Sequence, residues 1–151
     1  MKSESDMEKW IYEVITNTIR FDNCMRYKIR ESMNIRADLD NEGEIIYTKD
    51  LESFDMMYEE LGSSTKLKIF KKIIKEEGVS TLKDFDNITR RLYEIRNIFA
   101  HHIFPKKSLK DKNKDPKEKF AELYTEHKRL SDELMKWFFK EVVKISGEAI
   151  Y

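Results

Sequence analysis

The sequence predicts an all-α protein, an up-and-down bundle of four main helices with a short additional helix or strand segment. Three observations predict it. Apolar residues recur at three- and four-residue steps along four long segments, the period of one helix face. Charged residues make up 38% of the chain and aromatics 12%, which suits helices with wet outer faces and aromatic inner ones. Four Gly and two Pro are too few for a many-turned β sandwich.

The first helix is expected from Ser5, because Ser5-Asp6-Met7-Glu8 has the form of a capping box. Met7, Trp10, Ile11, Val14, Ile15, Thr18, Phe21 and Met25 then form one stripe, and the helix should end near Arg30 to Asn34. Residues 38–43 are a turn-rich polar run, and residues 44–48 allow a short strand. Phe54, Met57, Tyr58 and Leu61 suggest a turn or two of helix before Gly62. Ser64 is the expected cap of the second main helix. Leu67, Phe70, Ile73 and Ile74 line its inner face, and Gly78 stands where a left-handed C-terminal residue belongs.

The third helix is expected to open at Thr81-Leu82-Lys83-Asp84. Phe85, Ile88, Leu92, Ile95, Phe99 and His102 form its narrow seam. Pro105 marks its end, and residues 105–115 read as a basic loop carrying Lys106, Lys107, Lys110, Lys112 and Lys114. Asp115-Pro116-Lys117-Glu118 offers a cap, a first-turn proline and an acid in register. The last helix buries Phe120, Leu123, His127, Leu130, Leu134, Trp137, Phe138 and Val142, and is expected to run to about residue 146. With no internal repeat and no interdomain linker, residues 1–151 read as one domain.

Composition narrows the function. The 29 basic and 29 acidic residues cancel, so net charge argues for neither a nucleic-acid coat nor an acidic tail. Cys24 is the only cysteine, which suits a reducing, cytoplasmic setting. The acidic start, Met1 to Asp6, does not resemble a signal peptide. No run of 18 apolar residues occurs, so no membrane span is expected. No paired carboxylate or CxxC accompanies His101, His102 and Cys24, so no metal and no cofactor are expected.

Chemistry concentrates in Arg96-Asn97-Ile98-Phe99-Ala100-His101-His102. A guanidinium is a planar fork that fits phosphate oxygens. An imidazole is the side chain best placed to move protons near neutral pH. Together they supply what metal-free cleavage of a phosphodiester needs. Residues four apart share a helix face, so Tyr93, Asn97 and His101 fall on one line. Arg96 lies about 140° from His101 on an ideal helix. The two would converge if the helix frays near Ala100, if the arginine sweeps across Asn97, or if a second subunit supplies one group. Structural roles compete with these assignments: a surface ion pair for Arg96, a helix-end position for His101, packing for His102, and a hydrogen-bonded core position for His127.

The stretch Arg96-Asn97-Ile98-Phe99-Ala100-His101 resembles the motif of the HEPN superfamily: Arg, commonly followed by a polar residue, then His after four to six intervening positions. The resemblance implies a small, usually homodimeric helical bundle, and a metal-independent endoribonuclease in a toxin, defence or RNA-processing role. It implies Arg96 and His101 as catalytic residues, Asn97 as an orienting group, and Tyr93 and His102 in support. RNA is then the implied substrate, and Lys106, Lys107 and Lys110 would steer its phosphates. An antitoxin or other protein partner fits the same resemblance. Where some family toxins carry a tyrosine two residues after the histidine, this chain has Ile103. The family also includes members that only dimerise or bind RNA or protein.

Overall fold

The computed structural model describes residues 4–35, 38–46, 49–103 and 116–143. Among these residues it is an all-α helical bundle of five α-helices. These are α1 (Glu4–Ser32), α2 (Lys49–Glu60), α3 (Ser63–Glu76), α4 (Phe85–Ile103) and α5 (Pro116–Trp137). The segment between α1 and α2 holds two two-residue strands, β1 (Asp38–Leu39) and β2 (Ile45–Ile46), paired antiparallel. Asp40 closes their turn, its carboxylate accepting from the backbone N–H groups of Glu42 and Glu44. Gly43 there takes a φ of 82°, which glycine adopts at no steric cost.

The chain divides into two compact units, and α1 contributes to both. The described part of the first unit is residues 4–21, 82–103 and 116–143; that of the second is residues 22–35, 38–46 and 49–81. In the first unit α1, α4 and α5 meet through aromatics. Trp10 stacks on Tyr124 at 5.7 Å, Phe21 meets Phe85 at 6.3 Å, Phe85 meets Trp137 at 5.5 Å, and Phe99 meets Phe120 at 5.0 Å. These pairings set α4 antiparallel to α5, because the start of α4 meets the end of α5 and its end meets the start of α5. The expected inner stripe of α4 is buried at Phe85, Ile88, Leu92, Ile95 and Phe99. Fully burying such a side chain contributes roughly 1.5–3 kcal/mol, so this stripe fixes which face of α4 is left for chemistry.

In the second unit Tyr58 of α2 is fully buried, and its hydroxyl donates to the backbone oxygen of Asp22 at 3.0 Å. Lys66 of α3 sits 4.2 Å from the Tyr58 ring centre and 3.4 Å from the Asp22 carboxylate. Lys28 is buried on α1 between Glu31 at 2.9 Å and Glu77 at 2.6 Å. Burial works against its charge, but the hydrogen bonds it donates to the two carboxylates outweigh it and leave its pKa above the ordinary lysine value.

Several boundaries differ from expectation. The extra helix before Gly62 has twelve residues, and the polar run supplies β1. Ser64 lies inside α3, whose cap position is Gly62 with no side-chain bond. Gly78 takes the expected left-handed φ, at 78°. Beyond Trp137 the last helix widens to one π turn, Phe138–Val142, closed by Val143 N–H donating to Phe138 C=O at 3.0 Å. The widening falls where two adjacent aromatics, Trp137 and Phe138, are both buried. Among the described residues no helix is long and apolar enough to cross a membrane.

Candidate active site on α4

The motif occupies the last two turns of α4, which stays helical through Ile103. No fray at Ala100 brings Arg96 and His101 together. Asn97 and His101 are exposed, and Arg96 and Tyr93 are half-buried. The α4 stripe explains this gradient. Phe99 and Ile95 point inward, Arg96 lies on the shoulder of the core face, and Asn97 and His101 follow on the open side.

Arg96 leans back one turn. Its guanidinium carbon lies 5.9 Å from the Tyr93 ring centre, within cation–π range. This is the N-terminal lean that helical side chains favour. It draws the fork away from His101, which is five residues further along. Arg96 Nε is buried and, among the described residues, has no hydrogen-bond acceptor. A buried N–H left unpaired costs about 1–3 kcal/mol, so Arg96 is a donor in want of an acceptor.

Other arginines of α4 differ. Arg91 makes a two-pronged pair with Glu126 of α5, Nε to Oε2 at 2.7 Å and Nη2 to Oε1 at 2.9 Å, and its Nη1 also reaches Glu94 at 3.3 Å. The hydrogen bonds Arg91 donates to Glu126 raise the Arg91 pKa and lower that of Glu126. Arg90 has Glu94 at 3.9 Å. Arg91 therefore ties α4 to α5, whereas Arg96 has no carboxylate within ion-pair distance among the described residues. The surface ion pair considered for Arg96 is absent there.

His127 serves the fold. It has no exposed surface, and its Nε2 lies 2.9 Å from Thr18 Oγ1 on α1. The hydrogen-bonded core role expected for it is what the structure contains. The His102 side chain and the residues Lys106, Lys107 and Lys110 lie outside what the structure describes, so their expected roles stay expectations. A shallow open depression on α5 is lined by Ala121, Glu122, Thr125, Glu126 and Arg129, and includes neither Arg96 nor His101.

The site is thus a guanidinium on the shoulder of α4 whose Nε is buried without an acceptor among the described residues, an exposed amide and imidazole on the same helix end, and an aromatic ring beneath the fork. The spacing of the motif predicted the Asn97–His101 line. The Arg96–Tyr93 contact follows the i, i+3 rule, which was a signal available in the sequence. Compared with known proteins, the chain matches no family model, no curated protein and no solved structure.

Proposed function

We propose that this chain is a metal-independent endoribonuclease of HEPN type. The observation that carries the reading is Arg96 Nε, buried and among the described residues without an acceptor, on the same two turns of α4 as the exposed Asn97 and His101. A guanidinium so placed suits a phosphate oxygen, whose charge-assisted bonds are roughly twice as strong as neutral ones.

In this mechanism the RNA 2′-oxygen attacks its own phosphorus while its proton passes to a base. The bond from phosphorus to the 5′-oxygen breaks, and that oxygen takes a proton from an acid. The products are a 2′,3′-cyclic phosphate and a 5′-hydroxyl. His101 is the base or the acid. Arg96 stabilises the charge that builds on the non-bridging oxygens. Asn97 orients the ring or a phosphate oxygen. One imidazole cannot be both acid and base in one step, so a second copy of the chain would supply the other. DNA lacks the 2′-hydroxyl and is not cut.

The test is incubation of the purified chain with RNA in excess chelator. Cleavage is expected to survive chelation and to fall by at least about a hundredfold in Arg96→Ala and in His101→Ala. Cleavage indifferent to both substitutions would overturn the assignment. A second reading, a non-catalytic dimerisation or RNA- or protein-binding module, is favoured by the lean of Arg96 onto Tyr93 and away from His101. Under it, both variants would bind RNA or partner differently and no cleavage would be seen in the parent. A toxin, defence or RNA-processing role, with an antitoxin or other partner, belongs to the same proposal.

A further inference from the structure

We propose that the Tyr93 ring is a stacking platform for one unpaired nucleobase, covered by Arg96 in the free protein and bared when Arg96 takes a phosphate. The inference rests on the RNA reading above and adds a binding role that the motif does not contain.

Three observations support it. The Arg96 guanidinium lies over the Tyr93 ring, 5.9 Å from carbon to centroid, so the fork occupies the place a base would take. The Tyr93 hydroxyl oxygen is buried although the residue as a whole is half-buried, so the far end of the ring lies inward while other parts of the residue meet solvent. Arg96 Nε has no acceptor among the described residues, so the fork is held over the ring without an ion pair to hold it there.

The exchange follows from relative strengths. A half-exposed cation–π contact is weaker than charge-assisted hydrogen bonds to a phosphate. A phosphate arriving near Asn97 therefore draws the fork off the ring. The same strand carries its bases within a nucleotide's reach of that phosphate, and a flat aromatic surface vacated at that moment accepts one of them. Every base has a π face, so the platform tolerates sequence and selects for a base that is not paired. Phosphate and base binding are then linked: the ring becomes available only after the fork has left.

The probe is a short single strand of 2′-O-methyl ribonucleotides, which cannot be cut by 2′-oxygen attack, titrated calorimetrically in chelator. Tyr93→Leu is expected to weaken binding roughly tenfold, while Tyr93→Phe keeps the parent affinity. An abasic residue stepped along the strand is expected to weaken parent binding by a similar factor at one position. The same abasic strand should bind Tyr93→Leu no worse than the intact strand does. Circular-dichroism melts of both variants identify a variant that has lost its fold, and Tyr93→Trp, which enlarges the stacking face, should then still bind at least as well as the parent.

Parent-like binding by Tyr93→Leu, together with loss in Arg96→Ala, overturns the platform and leaves the phosphate site standing. A Tyr93→Leu defect of equal size on intact and abasic strands also overturns it, because the loss would then not involve a base. Absence of binding by the parent overturns both the platform and the RNA reading on which it rests.

Discussion

Thr18 donates its hydroxyl to the Val14 carbonyl at 2.8 Å, so toward His127 it accepts, and the imidazole proton sits on Nε2. Nδ1 is buried with no hydrogen-bond partner among the described residues. A second proton there would place a charge in the core. Burial accordingly pushes the His127 pKa down to about 4, and the neighbouring Glu126 only partly offsets it. The sign follows directly. Between pH 6.5 and about 4 the unfolded chain holds a proton that the folded chain refuses, so stability falls as pH falls through that window. The expected loss from this group approaches about 3 kcal/mol by pH 4. Urea titrations across that window check it. His127→Gln should flatten the slope there, and a slope unchanged in the variant would assign the loss to other groups. Glu126, whose pKa is lowered by Arg91, contributes only from its ordinary value of 4.5 downward, at the acidic end of that window and below it. His127 was legible in the sequence because the α5 stripe placed it inward. The lean of Arg96 was not, because a half-buried arginine has several allowed rotamers and the stripe of apolar residues does not choose among them.

Helices were legible as elements wherever the stripe was long: in α1 Trp10, Val14, Thr18, Phe21 and Met25 are buried with Met7, Ile11 and Ile15 half-buried, and in α4 Phe85, Ile88, Leu92, Ile95 and Phe99 are buried. Their ends were less so. At the start of α3 the sequence offers Ser64, yet the chain enters the helix through Gly62 at φ −72° and ψ 158°. That conformation suits any residue, and a Cβ at Gly62 meets nothing within 4 Å. Gly62→Asp is therefore expected to raise stability by about 0.5–1 kcal/mol, through a side-chain cap, a favourable helix end and a less flexible unfolded chain. Gly78 is the opposite case. Its φ of 78° disfavours a Cβ although the space is open, so Gly78→Ala should cost about 1 kcal/mol. Thermal melts of the two variants should move in opposite directions; movement in one direction would mean that backbone conformation does not govern these ends. The π turn at Phe138–Val142 was illegible because an apolar stripe at three- and four-residue spacing reads the same through a local widening.

At the scale of the molecule, each of the two units draws part of its core from the same helix. Phe21 belongs to the first and Met25 to the second, and both are completely buried. The sequence showed one uninterrupted stripe along α1 and gave no sign that its two halves serve different units, since both halves need the same inward spacing. A break in α1 should therefore be felt on both sides. Asn23→Pro removes a helical hydrogen bond and is expected to cost about 3 kcal/mol or more. Amide hydrogen exchange should show lost protection in α2 and α3 as well as in α4 and α5. Full retention in one pair would show that this unit stands without an intact α1. The two tryptophans have a practical consequence here. Trp10 and Trp137 are the only ones in the chain, and both lie in the unit built from α1, α4 and α5. Intrinsic indole emission is consequently blind to half of the protein. An emission melt that departs from a far-ultraviolet melt would separate the unfolding of the motif-bearing half from that of its neighbour without any added label.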